Sequence, residues 1–159
     1  MEATEILWVV FISAMPIGEL RAGIPTAYFV YDFPWYYAYL FAVVGNLLPV
    51  PFILLFLDRV TRLLGRVGLF DRLINRVFER TRRRGEKIKR VEGIGLSLFV
   101  SIPLPITGAW TGSLVAFLFG IDRRRAFLYI TLGVLIAGAV VTALCVSGNQ
   151  AVLWLRGEE

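Results

Sequence analysis

Two charged residues lie inside a long apolar stretch near the start of the sequence, and they are the first candidates for chemistry. Apart from Asp32 at a boundary, Glu19 and Arg21 are the only charged residues within the apolar stretches of the chain. A charge near the middle of a bilayer costs about 3 kcal/mol or more, so such residues usually face a protein interior and serve a function. The carboxylate could bind a proton or a substrate, and the guanidinium could hold a phosphate or another anion. The alternative is a structural ion pair that fixes a turn around Gly18.

A second candidate cluster offers hydroxyl, amide and indole groups instead of charge. Residues 103–108 read Pro-Leu-Pro-Ile-Thr-Gly, and the backbone of this segment together with the Thr107 hydroxyl could bind a substrate headgroup. Trp110 could stack on a cation or contact an apolar tail, and Asn46 could coordinate substrate. The alternatives are close helix packing at Gly108 and an interhelical hydrogen bond from Asn46. The candidate residues for binding the proton and the substrate are Glu19, Arg21, Pro16, Gly18, Asn46, Pro103, Pro105, Thr107, Gly108 and Trp110.

The composition excludes several classes of protein. Of the 159 residues, 57% are hydrophobic and 18% are charged, whereas soluble domains have about 45–50% and about 25%. The chain has no histidine and one cysteine, Cys145, so histidine-based acid–base chemistry and an internal disulfide are excluded. Glycine-rich phosphate loops, metal-ligand clusters and nucleophile elbows are absent from the sequence. We therefore expect no cofactor, no metal and no enzyme, with an intramembrane enzyme based on Glu19 as the remaining alternative.

Four apolar stretches must position the candidate residues. Residues 33–57 and 126–146 are each long enough to cross a bilayer as a helix. Residues 6–31 and 94–121 are each broken near the middle by Pro and Gly. Each of these two stretches therefore predicts a re-entrant hairpin of two half-helices, which membranes tolerate where the irregular backbone is buried in protein or lines a cavity. Four plain spans are the alternative.

The distribution of charge favours hairpins over plain spans. Residues 58–92 hold twelve Lys/Arg and five Asp/Glu, whereas the rest of the chain holds five Lys/Arg and seven Asp/Glu. If residues 94–121 crossed the membrane, the basic run 123–125 would lie opposite residues 58–92, against the positive-inside rule. If they return to their own side, both basic segments share the cytoplasm. The sequence thus predicts an integral protein of the cell membrane with residues 58–92 in the cytoplasm.

The predicted fold is an all-α integral membrane protein built as an inverted repeat. Residues 1–57 form the first repeat and residues 93–159 the second, and each contains a hairpin followed by a transmembrane helix. The two hairpins align in the register that lays Pro16 over Pro105. Inverted repeats with broken helices are a recurrent plan among transporters, whose site lies near the midplane.

Residues 58–92 predict a basic amphipathic linker helix that lies on the membrane surface. Its apolar positions recur with helical spacing, and arginines flank them. Because no aromatic residue interrupts the basic run 80–90 to stack on bases, we expect no nucleic-acid partner. The residues predicted to contact anionic lipid headgroups are Arg80, Arg82, Arg83 and Arg84.

Two segments carry a resemblance to a known family. Met15–Pro25 (MPIGELRAGIP) resembles the small multidrug export protein family, and Ile102–Gly112 (IPLPITGAWTG) looks like its other signature. This family is similar to the wider DedA superfamily of membrane proteins. The resemblance implies two re-entrant hairpins whose tips meet near the midplane, and proton-coupled transport that includes flipping of polyprenyl phosphate or phospholipid. Glu19 and Arg21 would carry the roles of the embedded acid and arginine, whereas Trp110 stands where the second hairpin would have a further charge.

These observations predict a transporter in which Glu19 binds and releases a proton as the hairpin tips alternate access. The substrate would be a lipid with an anionic headgroup or an amphipathic small molecule. The alternative is a scaffold that does not transport and binds anionic lipid or a partner through its basic loop. The expected partners are the bilayer and the substrate. A homodimer is compatible with so few short elements, because two copies would shield the hairpins from lipid.

Overall fold

The regular structure of the described part of the chain is entirely helical. The computed structural model describes residues 2–64, 86–103 and 107–156. The helices in chain order are α1 (Ala3–Ala14), α2 (Glu19–Pro25), α3 (Trp35–Leu47), α4 (Pro49–Leu64), α5 (Glu86–Ser101), α6 (Ala109–Leu118) and α7 (Arg123–Arg156). A π-helical turn, Thr26–Val30, continues α2. The all-α prediction is therefore confirmed for these residues.

Two helical segments of the described chain are long and apolar enough to cross a membrane. The first is Trp35–Leu57, with 23 residues and a mean hydropathy of 2.4, and the second is Arg123–Gln150, with 28 residues and a mean hydropathy of 2.3. The first comprises α3 and the start of α4, which are separated only at Leu48. Leu48 keeps helical backbone angles (φ −56°, ψ −45°). The interruption arises because prolines at positions 49 and 51 have no N–H to donate to the preceding turn.

Helix α7 extends beyond the predicted end of its span. The polar run 147–150 led us to expect an end near Val146, yet the helix continues to Arg156. Helical hydrogen bonds are internal to the segment, so polar side chains need not end a helix. One of them also finds a partner, since the Asn149 Nδ2 donates to the Tyr28 hydroxyl at 3.4 Å.

The same order of elements occurs twice along the chain. Two short helices, each of at most 16 residues, precede a long membrane-spanning segment in each half. These are α1 and α2 before the segment that α3 begins, and α5 and α6 before α7. Within each half the two short helices contact each other and the helix that begins the long segment. Contacts between α3 and α7 and between α4 and α6 join the halves. The first turn is residues 15–18, and the described residues of the second turn are 102, 103, 107 and 108.

Glycines on the long helices allow the short helices to approach closely. A Cβ added to Gly45 of α3 would lie 2.9 Å from the Val10 Cα and would also meet the Val10 carbonyl oxygen. A Cβ added to Gly133 of α7 would lie 2.7 Å from the Ser97 carbonyl oxygen. Both neighbours are backbone atoms that cannot move aside, and small residues at such contacts are typical of helix packing in membranes.

Large apolar side chains cover the outside of the helices, while several small residues fill the inside. Phe52 and Leu144 are exposed, whereas Ala38, Ala42 and Ala137 are buried. In water such a surface would be unfavourable by roughly 25 cal/mol for each Å² of apolar area. The surface is instead suited to contact with lipid tails.

Several predicted features lie outside the described residues. The predicted headgroup contacts Arg80, Arg82, Arg83 and Arg84 are among them, and so is Pro105. Of the predicted linker 58–92, the structure describes helical backbone up to residue 64 and from residue 86. The linker's amphipathic character, its cytoplasmic position and the scaffold function based on it stay predictions.

Candidate functional site

The turn between α1 and α2 directs Glu19 towards the second half of the molecule. Gly18 and Glu19 both have positive φ, at 100° and 52°. Glycine adopts such angles freely, whereas a glutamate rarely does, and an unusual backbone of this kind is often found at functional sites. The reversal places Glu19 at the first position of α2, and its side chain is 5% exposed.

The Glu19 carboxylate sits on the N-terminus of α6. Its Oε1 accepts a hydrogen bond from the backbone N–H of Trp110 at 3.4 Å, and the N–H of Ala109 lies close to it. The first N–H groups of a helix have no partner within the helix and carry its positive end, so a carboxylate is favoured there. A Cβ at Gly108 would overlap the Glu19 carboxyl group. The glycine predicted to matter at this turn therefore leaves the room that the carboxylate occupies.

Arg21 also reaches across to the second turn. Its Nη2 donates to the Thr107 Oγ1 at 3.2 Å and to the Ile102 carbonyl oxygen at 3.4 Å. Thr107 in turn donates to the Ile102 carbonyl oxygen at 2.5 Å. Arg21 and Glu19 interact electrostatically, yet the hydrogen bonds of both run between the halves of the molecule. These hydrogen bonds therefore connect the two turns. An ion pair between Glu19 and Arg21 alone would connect groups within the first turn only.

Trp110 makes the corresponding bond in the opposite direction. Its Nε1 donates to the carbonyl oxygen of Ala14, the last residue of α1, at 3.1 Å. In the register that lays Pro16 over Pro105, Trp110 lies over Arg21. Each of the two residues thus donates to a carbonyl oxygen near the end of the short helix in the other half. The indole, which the sequence suggested for stacking, serves here as a hydrogen-bond donor.

A buried amide and a buried hydroxyl lie on the inner side of Glu19. Asn46 of α3 is 0% exposed and its side chain reaches the Glu19 carboxylate. Within the described residues neither atom of the Asn46 amide has a hydrogen-bond partner of good geometry, and the same holds for the Ser13 Oγ. Ser13 is also 0% exposed, and its Oγ occupies the space that a Cβ at Gly23 would need. Buried polar atoms without a partner are rare and call for an explanation.

Of the nine predicted site residues that the structure describes, six contact one another between the turns, and three lie in the adjoining segments. Pro16 and Gly18 belong to the first turn, and Pro103 follows α5. The described residues contain no group of three or more His, Cys, Asp or Glu side chains that could hold a metal. The residues that meet between the turns are Glu19, Arg21, Asn46, Thr107, Gly108 and Trp110.

Sequence reasoning missed the backbone groups of the site and one side chain. The carbonyl oxygens of Ala14 and Ile102 and the N–H of Ala109 carry no signal, because every residue has such groups. Ser13 did carry a sequence signal, because it is a polar residue in an apolar helix just before the turn.

The helices, their apolar surface and the polar site between two turns define an α-helical membrane protein. Residues 19–140 match the family described as "Putative small multi-drug export protein". This match spans more than half of the chain, and the protein belongs to that family. Neither the comparison with curated proteins nor that with solved structures gives a match.

Proposed function

We propose that this protein is a transporter, and not an enzyme, that acts between the two turns. It would move an amphipathic small molecule or a lipid with an anionic headgroup, such as a phospholipid or polyprenyl phosphate. Glu19 would take up and release the proton that drives the movement. The description of its family as small multidrug export proteins supports this proposal, and so does the similarity of that family to the DedA superfamily.

The apolar character of the first turn supports a position inside the bilayer. Ile17 at this turn is 88% exposed, and its neighbours Met15 and Pro16 are exposed too. A turn that met water would be expected to carry polar residues. Helix α1 has 12 residues, which at about 1.5 Å per residue reach roughly halfway across the hydrocarbon core. We therefore propose re-entrant hairpins in an inverted repeat, within the cell membrane and with residues 58–92 in the cytoplasm.

The observation that carries the proposal is the set of hydrogen bonds across the two turns. Glu19, Arg21 and Trp110 each bond to the opposite turn or helix end. Separation of the turns would break these bonds, open a path from one side and free the guanidinium for an anionic headgroup. A buried carboxylate that lost its donors would be costly as an ion, so a proton would bind to Glu19 at this step. The closed and open arrangements would thus differ in protonation.

Transport by the reconstituted protein tests this function. The full chain in liposomes, under an imposed proton gradient, would be given fluorescently labelled phosphatidylglycerol or ethidium as probe. We expect movement of one probe by the wild type, which identifies the substrate class. Glu19→Gln should reduce it to the level of liposomes without protein, whereas the matched control Glu5→Gln, at the capping box of α1, should keep it.

Two results would contradict the proposal. Transport by Glu19→Gln at the wild-type rate would remove the proton role of this residue. Failure of the folded wild type to move either probe in both orientations of the gradient would argue against transport of these substrates. Circular dichroism of each variant in detergent verifies that it has folded.

A further inference from the structure

We infer that the Glu19 carboxylate occupies the binding position of the substrate's own anionic group, so that the ionised carboxylate and the anion exclude each other. The inference rests on the proposed transport function and deepens it. It assigns the anion site to the N-terminus of α6 with Asn46 and Arg21. It also explains why one proton would accompany one anion.

The hydrogen bond that holds the Glu19 carboxylate is long, so another anion could replace the carboxylate at this position. The distance from the Trp110 N to the Glu19 Oε1 is 3.4 Å, whereas good N–H···O bonds measure about 2.7–3.2 Å. The position itself is well built for an anion, because α6 has 10 residues and directs its unpaired N–H groups at it. Gly108 has no side chain in the space before these groups, so the Glu19 carboxyl group, or an anion in its place, fits there.

More donors surround the position than one carboxylate uses. The Asn46 amide is fully buried beside it, and although it reaches the Glu19 carboxylate it makes no hydrogen bond of good geometry with any described residue. The Arg21 Nε is likewise buried and has no hydrogen-bond partner among the described residues. A phosphate or sulfonate presents three oxygens where a carboxylate presents two. The surplus of donors therefore fits a tetrahedral oxyanion better than it fits Glu19.

The net charge of the site explains why replacement of the Glu19 carboxylate by an anion would require one proton. The groups that face Glu19 are Arg21 from its own helix, the N–H groups of α6 and the amide of Asn46, and the described residues of α1 and α7 present no charged side chain to it. With Glu19 ionised, its charge and that of Arg21 cancel. A bound anion preserves this balance only if Glu19 takes a proton from water. The resulting carboxylic acid can donate to the Asn46 Oδ1, because an amide offers both a donor and an acceptor.

Binding of a probe whose charge does not change with pH tests the exchange. The full-length protein in a maltoside detergent would be titrated with decanesulfonate between about pH 5.5 and about pH 8, a range over which the sulfonate stays ionised and a glutamate can titrate. We expect wild-type affinity to increase as pH falls, by up to about tenfold per pH unit, as linkage to one proton requires. Decyltrimethylammonium should not compete.

Neutralisation of Glu19 should strengthen the binding instead of weakening it. In Glu19→Gln the competing charge is gone, so decanesulfonate should bind at all pH values at least as tightly as to the wild type at low pH. Glu5→Gln should behave as the wild type. If methanesulfonate displaces decanesulfonate, a free anion suffices as ligand; if it does not, the ligand is an amphiphile.

A measurement on the wild type alone keeps the inference testable if the variant does not fold. Calorimetry in buffers of different ionisation enthalpy should show uptake of about one proton per decanesulfonate bound at a pH where Glu19 is ionised, since coupling between two ligands is reciprocal. Binding without proton uptake, or pH dependence that persists in Glu19→Gln, would overturn the exchange. Such a result together with proton-driven transport would leave the proposed function standing, whereas absence of both binding and transport would remove the function itself.

Discussion

The two halves of the molecule share their order of helices but differ in how their polar groups are satisfied. In the second half, Ser97, Ser113 and Thr131 each donate to a carbonyl oxygen at 2.7–2.8 Å. In the first half, Ser13 and Asn46 are fully buried and make no hydrogen bond of good geometry with the described residues. Among the described residues of the second half, Thr142 of α7 is the one side chain with a buried polar atom that lacks a partner. The first half has three such side chains, Ser13, Arg21 and Asn46, together with the buried carboxylate. We therefore expect the chemistry in the first half.

The turns show the same contrast at equivalent positions. Where the first turn has Glu19 and Arg21, the second has Gly108 and Trp110. A second carboxylate at position 108 would occupy the space that the Glu19 carboxylate fills. The space between the turns therefore holds one carboxylate, and the difference between positions 19 and 108 follows from the room available there.

Removal of the Arg21 charge should have the largest effect of the changes considered. Loss of a buried, hydrogen-bonded charge from a binding site costs about 2–5 kcal/mol, so Arg21→Ala should weaken decanesulfonate binding at least about 30-fold at every pH. Arg125→Ala is the matched control, because Arg125 is exposed at the start of α7. Equal affinities of the two variants, measured by calorimetry, would remove Arg21 from the anion site.

A methyl group added at a close helix contact should have a smaller effect, on stability. It tests whether the protein depends on close packing of its helices. Gly45→Ala would press a Cβ against the backbone of Val10, and such overpacking costs about 1–3 kcal/mol. Gly95→Ala adds the same methyl group to α5 where nothing lies within 4 Å, and it should be neutral or stabilising by up to about 1 kcal/mol because alanine favours helices. The melting temperature in detergent should therefore fall for Gly45→Ala and stay level or rise for Gly95→Ala. An unchanged or higher melting temperature for Gly45→Ala would show that α1 and α3 do not pack this closely.

Replacement of Trp110 by Phe should have a smaller effect than Arg21→Ala or Gly45→Ala. It keeps an aromatic ring but removes the Nε1–H that donates to the Ala14 carbonyl oxygen at 3.1 Å. A hydrogen bond of this kind contributes about 0.5–1.5 kcal/mol, so the melting temperature should fall slightly while decanesulfonate affinity stays near that of the wild type. An unchanged melting temperature with lost affinity would instead show that the indole N–H serves the ligand and not the contact with α1.

The sequence predicted the elements of the fold better than their ends. Apolar length predicted both long helices, because about 20 residues are needed to cross a bilayer. Pro and Gly predicted where the short helices break. The end of α7 was not predictable, since the polar residues at 147–150 indicated a stop and the partner of Asn149, Tyr28, is distant in sequence.

The sequence also predicted the charged residues of the site but not their partners. Glu19 and Arg21 stood out because a charge in an apolar segment is costly and therefore rarely accidental. It did not show that both would bond to the opposite turn, or that Gly108 would face the carboxylate. Those facts depend on backbone groups and on the close approach of two segments that are far apart along the chain.

The smallest expected effects have opposite signs in the two halves, and they test whether the halves differ in how they satisfy buried hydroxyl groups. Ser13→Ala removes a buried hydroxyl that no described residue satisfies, so the protein should become more stable, or at least not less stable. Ser113→Ala removes a hydroxyl that donates to the Ala109 carbonyl oxygen at 2.7 Å, and hydrogen bonds in membrane proteins contribute about 0.6 kcal/mol on average. Melting temperatures should thus rise or stay level for the first variant and fall for the second.

Transport rates of the Ser13→Ala and Ser113→Ala variants show whether the Ser13 hydroxyl takes part in transport, which melting temperatures alone do not show. If Ser13 is left unsatisfied because it serves the site, Ser13→Ala should slow transport of the probe that the wild type moves, even though the protein gains stability. Such an exchange of stability for activity is common where polar groups are held ready for function. Ser113→Ala should lose a little stability and keep its transport rate. A Ser13 variant that is both more stable and fully active would show that the unsatisfied hydroxyl of the first half has no part in transport, and would confine the chemistry to Glu19, Arg21 and Asn46.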